Sequence, residues 1–110
     1  MSFLVYVTAP DEALALALAR TLVGEGLAAG VNIVPGARSI YRWRGQVHDA
    51  AEHLLVAQVS RAALPAFEAA VKRLLSYEVP CMVAVPIEAG FGPFLDWIRE
   101  NSRPPAPADD

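Results

Sequence analysis

The chain has 110 residues, a formal net charge of −3 and 55% hydrophobic residues. That length allows one domain, and so high an apolar fraction in a small domain predicts that some apolar surface enters a subunit interface. The basic residues are scattered except for Arg38, Arg42 and Arg44. An extended basic surface for nucleic acid is therefore not expected.

The distribution of apolar and charged residues argues against a membrane protein or a secreted one. No stretch of about 18 uncharged apolar residues occurs, and the opening segment MSFLVYVTAP lacks the basic region of a secretory signal. We therefore expect a cytoplasmic protein. Residues 103–110 (RPPAPADD) have too few apolar side chains to join a core. The sequence thus predicts one domain over residues 1–102 and a disordered, proline-rich tail.

The first quarter of the chain predicts a strand followed by a helix. Residues 3–8 (FLVYVT) have the β-branched and aromatic character of a buried strand. Thr8 can then cap a helix, with Asp11 placing negative charge in its first turn. Leucines at every fourth position form the inward stripe of this helix, and Gly24 and Gly26 end it.

A long hairpin is predicted next. Residues 31–43 read as one strand, with VNIV and SIYRW on either side of a bend or bulge at Pro35 and Gly36. Residues 45–51 are the expected turn, and residues 52–60 (EHLLVAQVS) are the returning strand.

The last part of the chain predicts a helix, a strand and a helix. Pro65 fits only a first helical turn, so the second helix should begin near Ala63. Residues 79–87 (VPCMVAVPI) suit an edge strand, in which Cys81, the only cysteine, is expected to be buried. A short helix over residues 93–101 follows. The order βαββαβα predicts an α+β fold whose first six elements match the split βαβ, ferredoxin-like arrangement.

Four strings occur in a specific order: LAAGVNI (27–33), SIYRWRG (39–45), YEVP (77–80) and FLDWI (94–98). Together they resemble the CutA family of divalent-cation-tolerance proteins. The resemblance implies a ferredoxin-like subunit that forms a trimer through its sheet edges. It also implies a role in tolerance of copper and other divalent metals, and an architecture like that of the PII signalling proteins. The family has no settled molecular activity.

The resemblance also implies a cleft between subunits. The family's recurring polar and aromatic residues fall here on Tyr41, Trp43, Glu52, Tyr77, Glu78 and Trp97. At four positions where the family usually has Cys, Lys, His and Glu, this chain has Gly30, Gln58, Leu75 and Cys81. The lost groups are those best able to bind a cation or handle a proton. The chain is therefore expected to keep the scaffold more faithfully than the site.

The histidines and two nearby carboxylates form a candidate metal site, made of His48, Asp49, Glu52 and His53. Such donors suit copper or zinc, but a turn followed by a strand does not hold them all about 2.0–2.2 Å from one ion. A helix would align His48 with Glu52 but contradicts the hairpin. We expect a solvated hairpin tip that binds copper or zinc weakly, through exposed imidazole or a site shared between subunits.

Two further features are expected to be structural. Tyr41 and Trp43 alternate along a strand and suit a trimer interface; a base-stacking platform is less favoured, because the neighbouring strand lacks aromatic partners. Glu78 is expected to pair with an arginine of another subunit. The alternative is a cleft carboxylate with a raised pKa.

Because no phosphate loop, nucleophile elbow or HExxH motif occurs, no enzymatic activity is expected. The leading prediction is a homotrimer that acts in divalent metal tolerance by binding or signalling, without a required cofactor. The alternative is a PII-like regulator that binds a small anionic metabolite through Arg38, Arg42 or Arg44. A third hypothesis, a small lyase, isomerase or hydrolase using Glu52 or Glu78 with Tyr41 or Tyr77, has no motif to support it.

Overall fold

The computed structural model describes residues 1–104. The strands are β1 (Ser2–Ala9), β2 (Gly30–Trp43), β3 (Gln46–Ser60) and β4 (Met82–Pro86). The helices are α1 (Glu12–Gly24), α2 (Leu64–Leu74) and α3 (Gly92–Asn101). The predicted order of elements is therefore confirmed. Most of the predicted tail, residues 105–110, lies outside the described residues.

The four strands form one antiparallel sheet in the order β2-β3-β1-β4. Since β3 lies between β1 and β2, the chain has the split βαβ connection of a ferredoxin-like fold, as predicted. β4 is an edge strand, also as predicted. Among residues 1–104, no helix combines the length and the apolar character needed to cross a membrane.

The two faces of the sheet differ because side chains alternate along each strand. One face packs on α1 and α2 and forms the core, whose largest buried side chains include Val5, Val7, Leu18, Leu22, Leu55, Val59, Phe67 and Val71. The opposite face exposes large apolar side chains, namely Leu4, Tyr6, Val34, Val83 and Val85. We call this second face the open face.

The hairpin between β2 and β3 is longer and tighter than predicted. Its turn consists of Arg44 and Gly45, both with positive φ (50° and 77°), and Trp43 pairs directly with Gln46. The predicted turn over residues 45–51 is therefore wrong. Those residues look like a turn because they are polar or small, but their polarity reflects exposure: β1 ends opposite His53, so the outer hairpin has no neighbouring strand.

The predicted bend in β2 is confirmed as a bulge. Val34 pairs with Leu54 and Ala37 with Glu52, so the register shifts by one residue at Pro35 and Gly36. Because side chains alternate with a period of two, this single extra residue moves every later side chain of β2 to the other face of the sheet.

Two local predictions are wrong. Asp11 rather than Thr8 caps α1: its Oδ1 accepts a hydrogen bond from the Leu14 N–H at 2.8 Å, whereas Thr8 still belongs to β1 and pairs with Leu54. Cys81 is exposed and precedes β4. The strand begins only at Met82, since Pro80 has no N–H with which to extend the ladder.

The end of α3 is fastened to the rest of the domain by Ser102, which is 1% exposed. Its Oγ accepts a hydrogen bond from the Ser60 N–H and donates one to the Leu27 carbonyl, both at 2.8 Å. The Arg103 N–H then donates to the Gly26 carbonyl at 2.7 Å. Backbone hydrogen bonding to the domain thus extends to Arg103, the first residue of the predicted tail.

Candidate functional site

A cleft with a volume of about 600 Å³ lies on the open face, between the β2–β3 hairpin and the segment 77–81. Its lining includes four aromatic side chains and two glutamates: Tyr6, Tyr41, Trp43, Tyr77, Glu52 and Glu78. Tyr6 is a cleft residue that the sequence analysis missed. Its position in β1 could have identified it. Tyr6 and Thr8 are two residues apart in the strand, so they share a face, and both line the cleft.

The bulge in β2 is what directs the aromatic side chains into this cleft. After the shift at Pro35 and Gly36, Tyr41 and Trp43 share a face with Glu52. Without the extra residue they would point to the side that α1 and α2 cover. Tyr41 also lies directly opposite His48, and the two rings stack with centroids 5.1 Å apart.

Five of the six predicted cleft residues line this cavity, and Trp97 does not. Trp97 lies beside Gly30, where a Cβ atom would come within 3.2 Å of its ring. Gly30 pairs with Gln58, six residues along β3 from Glu52, which is roughly 20 Å at the rise of a strand. Trp97 is therefore remote within one subunit. That a second subunit completes the cleft is still a prediction.

The Glu52 carboxylate affects the protonation of the Tyr77 phenol inside the cleft. Burial raises the pKa of Tyr77, and the negative charge of Glu52 raises it further. The phenol is therefore neutral beside a carboxylate. Glu52 enters none of the ion pairs found among residues 1–104.

Glu78 is engaged by an arginine of its own chain. Its Oε2 lies 2.6 Å from an Arg44 guanidinium nitrogen, and that guanidinium also lies over the Trp43 ring, 5.6 Å from the centroid. Glu78 thus forms an ion pair within its own chain, while the predicted pairing with an arginine of another subunit is still a prediction. The pair within the chain forms because the tight turn places Arg44 at the hairpin tip, within reach of the segment that carries Glu78.

Arg38 is also paired, on the face of the hairpin opposite the aromatic rings. Two of its guanidinium nitrogens bind the two carboxylate oxygens of Asp49 at 2.7 and 3.0 Å. This hydrogen bonding lowers the pKa of Asp49 and raises that of Arg38. The pair is solvent-exposed, so its contribution to stability is small.

The four candidate metal ligands do not converge within one subunit. Alternation along β3 places His48 and Glu52 on one face and Asp49 and His53 on the other. Residues four apart in a strand are roughly 13 Å apart, so even His48 and Glu52 do not share an ion. Across residues 1–104, no three His, Cys, Asp or Glu side chains are grouped to hold a metal.

The replaced family positions are not gathered in the cleft either. A Cβ atom at Gly30 would lie 2.8 Å from Oε1 of Gln58, and Gln58 Nε2 donates to Asn32 Oδ1 at 3.1 Å. Glycine at 30 thus makes room for the glutamine. Leu75 is buried in the core, and only Cys81 lines the cleft.

Comparison with known proteins agrees with the fold and the sequence strings. The model of the CutA1 divalent ion tolerance protein family matches residues 3–101. The divalent-cation tolerance protein CutA of Thermus thermophilus is 47% identical, over 93% of this chain and 99% of that protein. Its solved structure superposes with a TM-score of 0.90. The chloroplastic protein CutA 1 of Oryza sativa is 40% identical, and this chain spans 58% of its length. The resemblance is therefore confirmed, and this chain belongs to the CutA1 divalent ion tolerance protein family.

Proposed function

We propose that this protein acts in divalent metal tolerance as a cytoplasmic homotrimer, by binding or signalling rather than by catalysis. The observation that carries the proposal is the open face of the sheet. Val83 and Val85, on its edge strand, are 55% and 52% exposed, and Leu4 beside Val85 is 42% exposed. A contiguous apolar surface of this kind marks an interface. The resemblance to the CutA family implies that three subunits assemble through their sheet edges, and Val83 and Val85 lie on the edge strand β4.

The cleft favours binding over catalysis. A general base or nucleophile needs a partner within hydrogen-bond reach that activates or orients it. Among the described residues, Glu78 is held by Arg44, and His48 stacks on Tyr41 outside the cavity lining. These contacts engage Glu78 and leave His48 outside the cavity, so a catalytic role would have to use Glu52 and the neutral Tyr77 phenol.

An anionic metabolite, the alternative ligand predicted from sequence, is not favoured. Arg38 and Arg44 each already bind a carboxylate of this chain, and Arg42 is not among the residues that line the cleft. An incoming anion would have to displace Asp49 or Glu78 from its partner. The structure therefore gives no specific support to the PII-like alternative.

For metal binding we propose a weak site that includes His48. Its ring is exposed on the outer hairpin, and an exposed neutral imidazole is a common copper or zinc ligand. Further ligands would come from a second subunit, since one chain does not gather them. His53 is a poorer candidate because its Nδ1 is buried without a hydrogen-bond partner among residues 1–104.

Calorimetric titration of copper and zinc into the wild-type protein, His48→Ala and His53→Ala tests this assignment. We expect weak binding that His48→Ala abolishes and His53→Ala leaves intact, because His48 is exposed whereas His53 is half-buried with its Nδ1 enclosed. Tight binding that survives His48→Ala would show that the metal is held elsewhere. Sedimentation in the same buffer reports whether each variant keeps the assembly of the wild type.

A further inference from the structure

Some of the charged groups around the cleft have an ion-pair partner and one does not, among residues 1–104. Arg44 and Glu78 neutralise each other at its mouth, and Arg38 is bound to Asp49. Glu52 also lines the cavity but has no ion-pair partner among residues 1–104. The cleft of one subunit therefore carries one uncompensated negative charge.

Aromatic side chains line the same cavity as that charge. Tyr6, Tyr41, Trp43 and Tyr77 all line the same cavity as Glu52. The face of an aromatic ring attracts a cation within about 6 Å of its centroid, and several rings together form a cage for a quaternary ammonium group. The contact between Arg44 and the Trp43 ring, at 5.6 Å, is an interaction of this type within the protein itself.

We propose that this cleft binds a small organic ammonium cation, with the aromatic rings enclosing the charged group and Glu52 neutralising it. Its volume of about 600 Å³ is in the range that small-molecule ligands occupy. The proposal goes beyond the role in metal tolerance and does not depend on it.

Other ligand classes fit the cleft less well. An uncharged ligand would cover Glu52 without compensating its charge, which is unfavourable. An anion would meet the same carboxylate with Arg38 and Arg44 already occupied. A divalent ion would find no group of three suitable ligands in the described chain. The raised pKa of Tyr77, caused by burial and by Glu52, agrees with a negative charge close to this phenol.

The test is calorimetric titration with choline and with 3,3-dimethyl-1-butanol (dimethylbutanol below). The second compound is the uncharged isostere of choline, in which carbon replaces the ammonium nitrogen. EDTA in the buffer removes metal ions, so the result is independent of the copper and zinc titrations. We expect choline to bind the wild-type protein about tenfold more tightly than dimethylbutanol, the ratio that a cation–π and carboxylate site supplies. Equal binding of the two compounds, or no binding of choline, would overturn the proposal.

Three variants assign the site. Glu52→Gln should reduce the preference for choline without abolishing it, since it removes the carboxylate charge and leaves the aromatic rings in place. Trp43→Leu should weaken choline binding and leave a preference for the cation. Glu100→Gln is the matched control: it removes an exposed carboxylate on α3 that does not line the cleft, and choline binding should not change. Choline binding unaffected by both Glu52→Gln and Trp43→Leu would place the cation elsewhere and refute the proposal.

Discussion

Tyr77 shows how the cleft controls the protonation of a single residue. Because burial and the Glu52 charge raise its pKa, Tyr77 keeps its proton to higher pH than an ordinary tyrosine. The folded pKa lies above the unfolded value of about 10. The linked stability is therefore fully present below that pH, and it is lost as the pH rises towards the folded pKa.

We expect Glu52→Gln to lower the pKa of Tyr77, because one of the charges opposing the phenolate is removed. Ring-labelled tyrosine NMR follows each tyrosine separately during a pH titration. Glu78→Gln is the control: Glu78 also lines the cleft but is not among the causes of the shift, so the midpoint should not move. A Tyr77 midpoint that is the same in wild type and Glu52→Gln would contradict this account.

Ser102 is a residue whose importance appears only in the folded chain. Ser102→Ala leaves the buried Ser60 N–H and the Leu27 carbonyl without their partner, so we expect a loss of about 1–3 kcal/mol in unfolding free energy. Denaturant titration measures it. Ser39→Ala, on β2, removes a hydroxyl that makes none of the side-chain hydrogen bonds found among residues 1–104, and it should change stability by less than about 0.5 kcal/mol. Equal effects would disprove the fastening role.

At the scale of the element, the hairpin shows why a turn was predicted in place of a strand. Polar and small residues over 46–51 are typical of loops, but here they form strand pairs with β2 beyond the end of β1. Strand propensity depends on which neighbours cover each face. Local composition therefore did not distinguish an exposed two-stranded ribbon from a loop.

The Gly45 position should tolerate substitution poorly for a purely conformational reason. Gly45 has φ 77°, whereas Gly24 at the end of α1 does not have a positive φ, and neither would bring a new Cβ within 4 Å of another atom. We expect Gly45→Ala to cost about 1 kcal/mol and Gly24→Ala to be neutral or stabilising by about 0.5 kcal/mol. Denaturant titration at one protein concentration compares the two. A stabilising Gly45→Ala would contradict the turn geometry.

At the scale of the whole molecule, the open face is the feature that indicates a subunit interface. α1 and α2 cover one side of the sheet, while its other side exposes apolar side chains from three strands, β1, β2 and β4. The high apolar fraction of the sequence predicted an interface, and the open face is a candidate surface for it.

A charge on the open face should dissociate the proposed trimer without unfolding its subunits. Val83→Glu places a carboxylate opposite Tyr6, where burial against another subunit would be costly. Val23→Glu on α1 is the control: Val23 is also exposed, but it lies on a helix away from this face. Sedimentation at micromolar concentration should give three times the 11.8 kDa chain mass for wild type and Val23→Glu, and a monomer for Val83→Glu. A monomeric wild type would refute the assembly.

The sequence by itself determined the order of elements, the fold class, the bulge at Pro35 and Gly36, and the family. Each of these rests on local signals: apolar periodicity, prolines and glycines with restricted or unusual conformations, and short strings of specific residues. Five of the six cleft residues were also identified, by resemblance.

Only the tertiary structure decided how those residues combine. It paired Glu78 with Arg44 and Arg38 with Asp49, left Glu52 without an ion pair among residues 1–104, and separated Trp97 from the cleft. It also divided the proposed metal ligands between two faces. The physical reason is that a one-residue change of register moves a side chain to the other face of a sheet. Register and cross-strand pairing depend on contacts between residues far apart in the chain, which local sequence patterns do not encode.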